Sequence, residues 1–138
     1  VEAPIILSKY VLKNMKAQKW GRIVNIGSIS GVMGEANASV YSASKASLIG
    51  FSKALALEVA QDNITVNTIN AGWVDTELGN ESIEDSEFSK EEIMEIIPQK
   101  RFVTPEEIAR LIKYLISDDA RGITGQSINL CAGLSVGY

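Results

Sequence analysis

Apolar residues recur through positions 3–18 at near-helical spacing, with Ile5, Leu7, Val11, Leu12 and Met15 set against Lys9, Lys13 and Lys16. Pro4 suits a first helical turn, and Trp20-Gly21 breaks the pattern. The spacing predicts an amphipathic helix with solvated lysines. Arg22-Ile23-Val24-Asn25-Ile26 follows as a short β-branched run bounded by glycines, the mark of a buried strand. From about Ser39 to Ala60 the pattern is helical again, yet Ala43, Ala46, Leu48, Ile49, Phe51, Leu55, Leu57 and Val59 cannot all face one sheet. A helix apolar on every side is buried on every side. Either it is sandwiched within one domain or its second face meets another subunit. The small residues Ala43, Ala46, Ser47, Gly50 and Ala54 would allow close approach and favour the subunit interface.

Asp62-Asn63 reads as a turn, and Ile64-Thr65-Val66-Asn67-Thr68-Ile69 alternates as a second strand. Residues 75–95 are the most polar part of the chain: Asp75, Glu77, Glu81, Glu84, Asp85, Glu87, Glu91, Glu92 and Glu95 face only Lys90. Such a cluster would repel anionic substrates if it lined a pocket, but a solvated surface is the simpler reading. Thr104-Pro105-Glu106-Glu107 then opens a helix, with Thr104 as N-cap, Pro105 at the first position and Glu107 completing a capping box. Ile108, Leu111, Ile112, Leu115 and Ile116 give its buried stripe. Residues 126–131 form a last strand, with Cys131 in the core. Helices alternating with three strands predict an α/β layer fold with a parallel sheet.

At 138 residues, with 46% hydrophobic and 22% charged, the chain has the make-up of one globular domain rather than a disordered segment. A net charge of −4 argues against nucleic acid or an anionic membrane as the main partner. No run approaches the roughly 18 apolar residues that a membrane span needs, so a cytoplasmic location is expected. One cysteine, Cys131, allows no intrachain disulfide or cysteine-pair metal site. The absence of histidine removes histidine triads and the commonest zinc ligands, so no metal is expected.

The candidate chemistry lies in Val40-Tyr41-Ser42-Ala43-Ser44-Lys45, with Ser28 thirteen positions before Tyr41. On a helix, Tyr41 and Lys45 lie on one face one turn apart. A free tyrosine, with its pKa of about 10, is a poor proton carrier at neutral pH. An ammonium one turn away favours a phenolate, and a serine hydroxyl reaching the same spot holds a carbonyl or alcohol oxygen beside it. Together they read as a proton-transfer site for a carbonyl/alcohol pair. Gly27 to Gly34, after the first strand, lack both a helix opening directly on the glycines and a ribose-binding acid about twenty residues on. They read as a strand-end active-site loop carrying Ser28, not as a phosphate-binding turn.

Gly21-Arg22-Ile23-Val24-Asn25-Ile26-Gly27-Ser28, Tyr41-x-x-x-Lys45, Asn63-Ile64-Thr65-Val66-Asn67, Ala71-Gly72-Trp73-Val74-Asp75-Thr76 and Gly122-Ile123-Thr124-Gly125-Gln126, in this order, resemble the short-chain dehydrogenase/reductase superfamily. The resemblance implies the second half of a doubly wound, Rossmann-type parallel sheet. It implies NAD or NADP as cofactor and a small carbonyl or alcohol substrate, a 3-ketoacyl or polyketide thioester by the look of residues 125–134. Ser28 would bind the substrate oxygen, Tyr41 would be the general acid in reduction, and Lys45 would support Tyr41 and bind the nicotinamide ribose. Thr76, with backbone near Gly72 and Val74, would contact the carboxamide. Residues 75–103 would form the substrate lid, and the helix at 39–60 the homo-oligomer interface. Ala71 stands where the family most often has proline, which is expected to loosen the turn.

No stretch carries the family's glycine-rich dinucleotide turn or its Asn-Asn-Ala-Gly segment, so residues 1–138 read as a single partial domain, the C-terminal catalytic half. In the full sheet the strand at 22–26 sits in the middle. Alone it would present an unpaired apolar edge, and the first helix would lose part of its partner surface. The opposing reading is a catalytically silent remnant serving as an oligomerisation or interaction module.

Overall fold

A computed structural model describes residues 1–84 and 88–136. Helix α1 (Glu2–Gln18) leads to strand β1 (Gly21–Ser28), a single helical turn α2 (Ser30–Met33) and the long helix α3 (Ser39–Val59). Strand β2 (Ile64–Ala71) is followed by α4 (Glu77–Glu84), α5 (Lys90–Ile96), α6 (Pro105–Leu115) and strand β3 (Ser127–Leu130). The strands pair in parallel in the order β1-β2-β3, with Gly21 opposite Ile64 and Thr68 opposite Ser127. This is the expected α/β architecture of three parallel strands with flanking helices.

Each junction has a local cause. Lys19, in the left-handed region at φ 52°, ends α1, and its backbone N–H reaches back to the carbonyls of Met15 and Lys16. Asn63 takes the same conformation at φ 56° and turns the chain into β2. Alternate residues of β2 face α3. There Ile64 and Val66 join Leu55, Ala56 and Val59 in one core cluster, with Leu12, Met15, Ile23 and Phe51 packed around it. Full burial of a valine or isoleucine contributes about 1.5–3 kcal/mol, so this cluster is what holds α3 to the sheet.

Three of the predicted apolar faces are only partly buried within this chain. On α1 only Leu12 and Met15 are partly covered, while Ile5, Leu7 and Val11 are exposed. Among the described residues the sheet ends at β1, and the residue that α1 buries is the small polar Ser8. Helix α3 is not sandwiched within the domain: Leu48, Leu55, Ala56 and Val59 face inward, whereas Leu57 is 84% exposed and Ala43, Ala46, Ser47, Gly50 and Ala54 form an open stripe. On α6, Leu115 is fully buried but Ile116, beyond the last helical residue, is exposed.

A second cluster, Ile83, Ile93, Ile97, Phe102, Val103 and Ala132, holds α4 and α5 over the carboxyl ends of the strands. The described acids of residues 75–95 are all exposed, in line with a solvated surface, and Asp85 and Glu87 lie outside the described residues. Lys90, the lone base among them, pairs with Asp75 at 3.3 Å and lies 5.1 Å from the Phe102 ring centroid. Ser89 and Glu92 form a second capping box at the start of α5.

The capping box of α6 forms as the sequence predicts, and Arg101 strengthens it. Nη1 and Nη2 of its guanidinium donate to the Glu107 carboxylate at 2.8 Å, and the Thr104 N–H donates to the same group at 2.8 Å. The Arg101 hydrogen bonds, followed by that of the Thr104 backbone, hold the Glu107 carboxyl down at about 2. A depressed folded-state value means the contribution to stability is complete above the unfolded value of about 4.3 and is lost as pH falls towards 2. Glu107→Gln should therefore flatten the dependence of the thermal midpoint on pH in that window. An unchanged pH profile would show that Glu107 contributes nothing there.

Candidate active site

Lys45 reaches from α3 to β1, where its Nζ donates to the Ile26 carbonyl at 3.4 Å. Its ammonium also sits 5.6 Å from the centroid of the Tyr41 ring, one helical turn away. The Tyr41 side chain is open to solvent, the residue being 47% exposed. Two residues beyond Ile26, β1 ends at Ser28. Its Oγ accepts the Ser30 N–H at 3.1 Å and donates to Ser30 Oγ at 3.0 Å, which in turn donates to Glu35 Oε2 at 2.6 Å. Thus Ser28 Oγ is fixed by a backbone donor, while its proton can be turned from Ser30 to a substrate oxygen.

Gly31 brings these two groups together. A Cβ built there would lie 2.6 Å from the Ala46 backbone nitrogen and 2.7 Å from the Lys45 carbonyl carbon. Only a residue without a side chain lets α2 lie this close to α3 at Lys45. Neither α2 nor the Ser30–Glu35 link was apparent in the sequence. A four-residue helix has no periodicity to read, and Ser30 and Glu35 carry no spacing signature.

Across the strand ends, Gly72 N–H donates to the Leu130 carbonyl at 2.9 Å, and a Cβ at Gly72 would lie 2.7 Å from that of Cys131. The Ala71 carbonyl accepts the Ile29 N–H at 3.0 Å, which ties this junction to the loop bearing Ser28. Residues 73–75 form a short parallel bridge with Val103: Val103 N–H donates to Trp73 and Asp75 N–H to Val103. The Val74 N–H lies outside that bridge. Thr76 Oγ1 accepts the Gly79 N–H at 3.0 Å and helps start α4, which leaves its own proton to donate elsewhere. The structure therefore places Lys45 beside the Tyr41 ring and against β1, the strand that ends in Ser28, and sets Gly72, Val74 and Thr76 just after β2.

The exposed phenol and the ammonium could hold hydroxyl groups of a ligand, and the Thr76 hydroxyl could donate to one. No helix among the described residues is long and apolar enough to cross a membrane.

The model of the family described as enoyl-(acyl carrier protein) reductase matches residues 1–135. The chain is 42% identical over 128 residues to the 3-oxoacyl-(acyl-carrier-protein) reductase FabG of Pseudomonas aeruginosa, covering 93% of this chain and 51% of that protein. Among solved structures, an actinorhodin polyketide ketoreductase variant with NADPH superposes with a TM-score of 0.89 at 40% identity, over 95% of this chain and 54% of that one. YwfH, an NADPH-dependent reductase involved in bacilysin biosynthesis, superposes with a TM-score of 0.93 at 34% identity, over 99% and 55%. The chain spans about half the length of the relatives it matches. With a family match along nearly its whole length, the chain belongs to the short-chain dehydrogenase/reductase family.

Proposed function

We propose that residues 1–138 are the catalytic half of a nicotinamide-dependent oxidoreductase that interconverts a carbonyl and a secondary alcohol, acting on a 3-ketoacyl thioester. The observation that carries this is the exposed Tyr41 phenol beside the Lys45 ammonium, with Lys45 bonded to the strand that ends in Ser28. The named activities of the similar reductase and ketoreductase support the substrate class. The unpaired edge of β1 and the exposed apolar residues of α1 support a larger sheet, with residues 75–103 as its lid.

Bound reduced nicotinamide would supply the hydride that adds to the carbonyl carbon. Ser28 Oγ turns its proton to the carbonyl oxygen and fixes that oxygen near Tyr41. The Tyr41 hydroxyl gives its proton to the oxygen as negative charge grows there. The Lys45 ammonium stabilises the resulting phenolate, which solvent reprotonates at this exposed position. Lys45 and Tyr41 hold the ribose, and Val74 N–H and Thr76, on the turn fixed by Gly72, hold the carboxamide.

The small-residue stripe on α3, flanked by exposed Val40 and Leu57, supports assembly of this chain with itself through that helix. Titration of the protein with NADPH and NADH, followed by nicotinamide fluorescence alongside sedimentation velocity, tests both parts. Saturation by one of them below about 1 mM, the upper end of ordinary enzyme affinities, and at least ~10-fold weaker binding by Lys45→Met, are expected of an assembled protein. An assembled protein that binds neither nucleotide would mean that the chemistry at Ser28, Tyr41 and Lys45 needs the other half of a longer enzyme. A monomer would remove the role of α3.

A further inference from the structure

Asn70 is fully buried near the end of β2, yet it carries a polar side chain between the two flanking strands. Its Nδ2 donates to Ser127 Oγ at 2.7 Å and to Asn129 Oδ1 at 2.8 Å, both on β3. Its Oδ1 has no hydrogen-bond partner among the described residues. A buried amide left half-satisfied calls for an explanation, since a small apolar residue would avoid the loss.

The explanation lies on the opposite side, at β1. Gly27 is the register partner of Asn70, and a Cβ built on Gly27 would lie 2.6 Å from Asn70 Oδ1 and 3.1 Å from Thr68 Cγ2. The amide oxygen therefore occupies the space where the side chain of residue 27 would stand, directly before Ser28. From its other end the same amide continues into the carboxyl-terminal segment: Asn129 Nδ2 donates to Ser135 Oγ at 2.9 Å, and Ser135 lies 3.1 Å from Cys131 Sγ. Cys131 is the residue against which Gly72 packs. A run of polar contacts thus links Asn70 through Asn129 and Ser135 to Cys131, while its amide oxygen meets β1 by packing alone.

We infer that Asn70 is a positioning residue for Ser28, acting as a strut in the space left by the missing side chain of Gly27 and braced on Ser127 and Asn129. The inference rests on the reading of Ser28 as the group that holds the substrate oxygen. Asn70 touches no reacting atom; it sets the height of the β1 terminus, and so the position of Ser28 Oγ relative to Tyr41. A displacement of about 1 Å at a group that orients substrate can lower turnover by ~10²-fold.

A space-exchange experiment separates this role from simple stability. Asn70→Ala removes the strut, Gly27→Ala drives a methyl into it, and G27A/N70A puts a methyl where the oxygen stood. In backbone amide NMR spectra of the full chain, each single change should shift the Ser28 and Ser30 signals, because the Ser30 N–H donates to Ser28 Oγ. The double change should return them towards the original positions. In turnover, each single change should lower kcat by ~10-fold or more with KM within about twofold, and the double change should recover most of the loss. If Asn70→Ala alone does not fold, rescue of Gly27→Ala by the second substitution carries the comparison. Unmoved Ser28 and Ser30 signals, or a double variant worse than either single, would overturn the strut. Turnover insensitive to Tyr41→Phe would instead remove the assigned site, and the amide signals would still decide whether Asn70 places Ser28.

Discussion

Tyr41→Phe is expected to lower kcat for reduction of a 3-ketoacyl thioester by about 10²–10⁴-fold, the usual contribution of a positioned general acid. The substitution removes one oxygen and nothing else of consequence. The aromatic ring keeps its place 5.6 Å from the Lys45 ammonium, so the attraction of the cation for the ring face persists. Tyr41 is 47% exposed, so its hydroxyl contributes little to folding, and the thermal midpoint should move by less than the error of an ordinary surface change. Nicotinamide affinity should fall only by the loss of one ribose contact. Steady-state kinetics with direct cofactor titration would show a collapse in kcat with binding largely kept. An unchanged rate would mean that the proton comes from elsewhere and would sink the role given to Tyr41.

What made Tyr41 and Lys45 visible beforehand is that their relation is local: four residues on a helix fix the spacing whatever the rest of the fold does. The same holds for Thr104 and Glu107, whose reciprocal bonds span three residues and formed as expected. Ser89 and Glu92 carry the same three-residue signal and form the same reciprocal pair at the start of α5. Burial was harder to read, because it depends on which neighbour covers a face. Ile5, Leu7 and Val11 have the right period for a buried stripe, but the residue that α1 buries is Ser8, and among the described residues the sheet ends at β1. Asn25 and Asn70 present the opposite case, polar residues in buried strands. Asn25 is satisfied by Ser52 on α3, 27 positions away, at 2.8 Å, and no periodicity marks such a partner.

The link between Ser28 and Lys45 is equally long-range, and it runs through a residue with no side chain. Gly31→Ala would place a methyl 2.6 Å from the Ala46 nitrogen and 2.7 Å from the Lys45 carbonyl carbon, both backbone atoms of a 21-residue helix. Helix α3 cannot yield, because Leu48, Leu55 and Val59 lock it onto the sheet. The four-residue α2 must move instead, and it carries Ser30, whose N–H holds Ser28 Oγ. Overpacking of this kind typically costs about 1–3 kcal/mol, and relief by lifting α2 should leave the main cluster under α3 intact. Turnover should therefore fall by ~10²-fold, as expected for misplacement of about 1 Å, with a smaller change in cofactor affinity because Tyr41 and Lys45 stay on α3. Gly31→Ala should also weaken the effect of a further Ser28→Ala change, since a serine already out of reach has little left to lose. Fully additive losses in that pair would mean that Ser28 does not depend on the contact between α2 and α3 for its position.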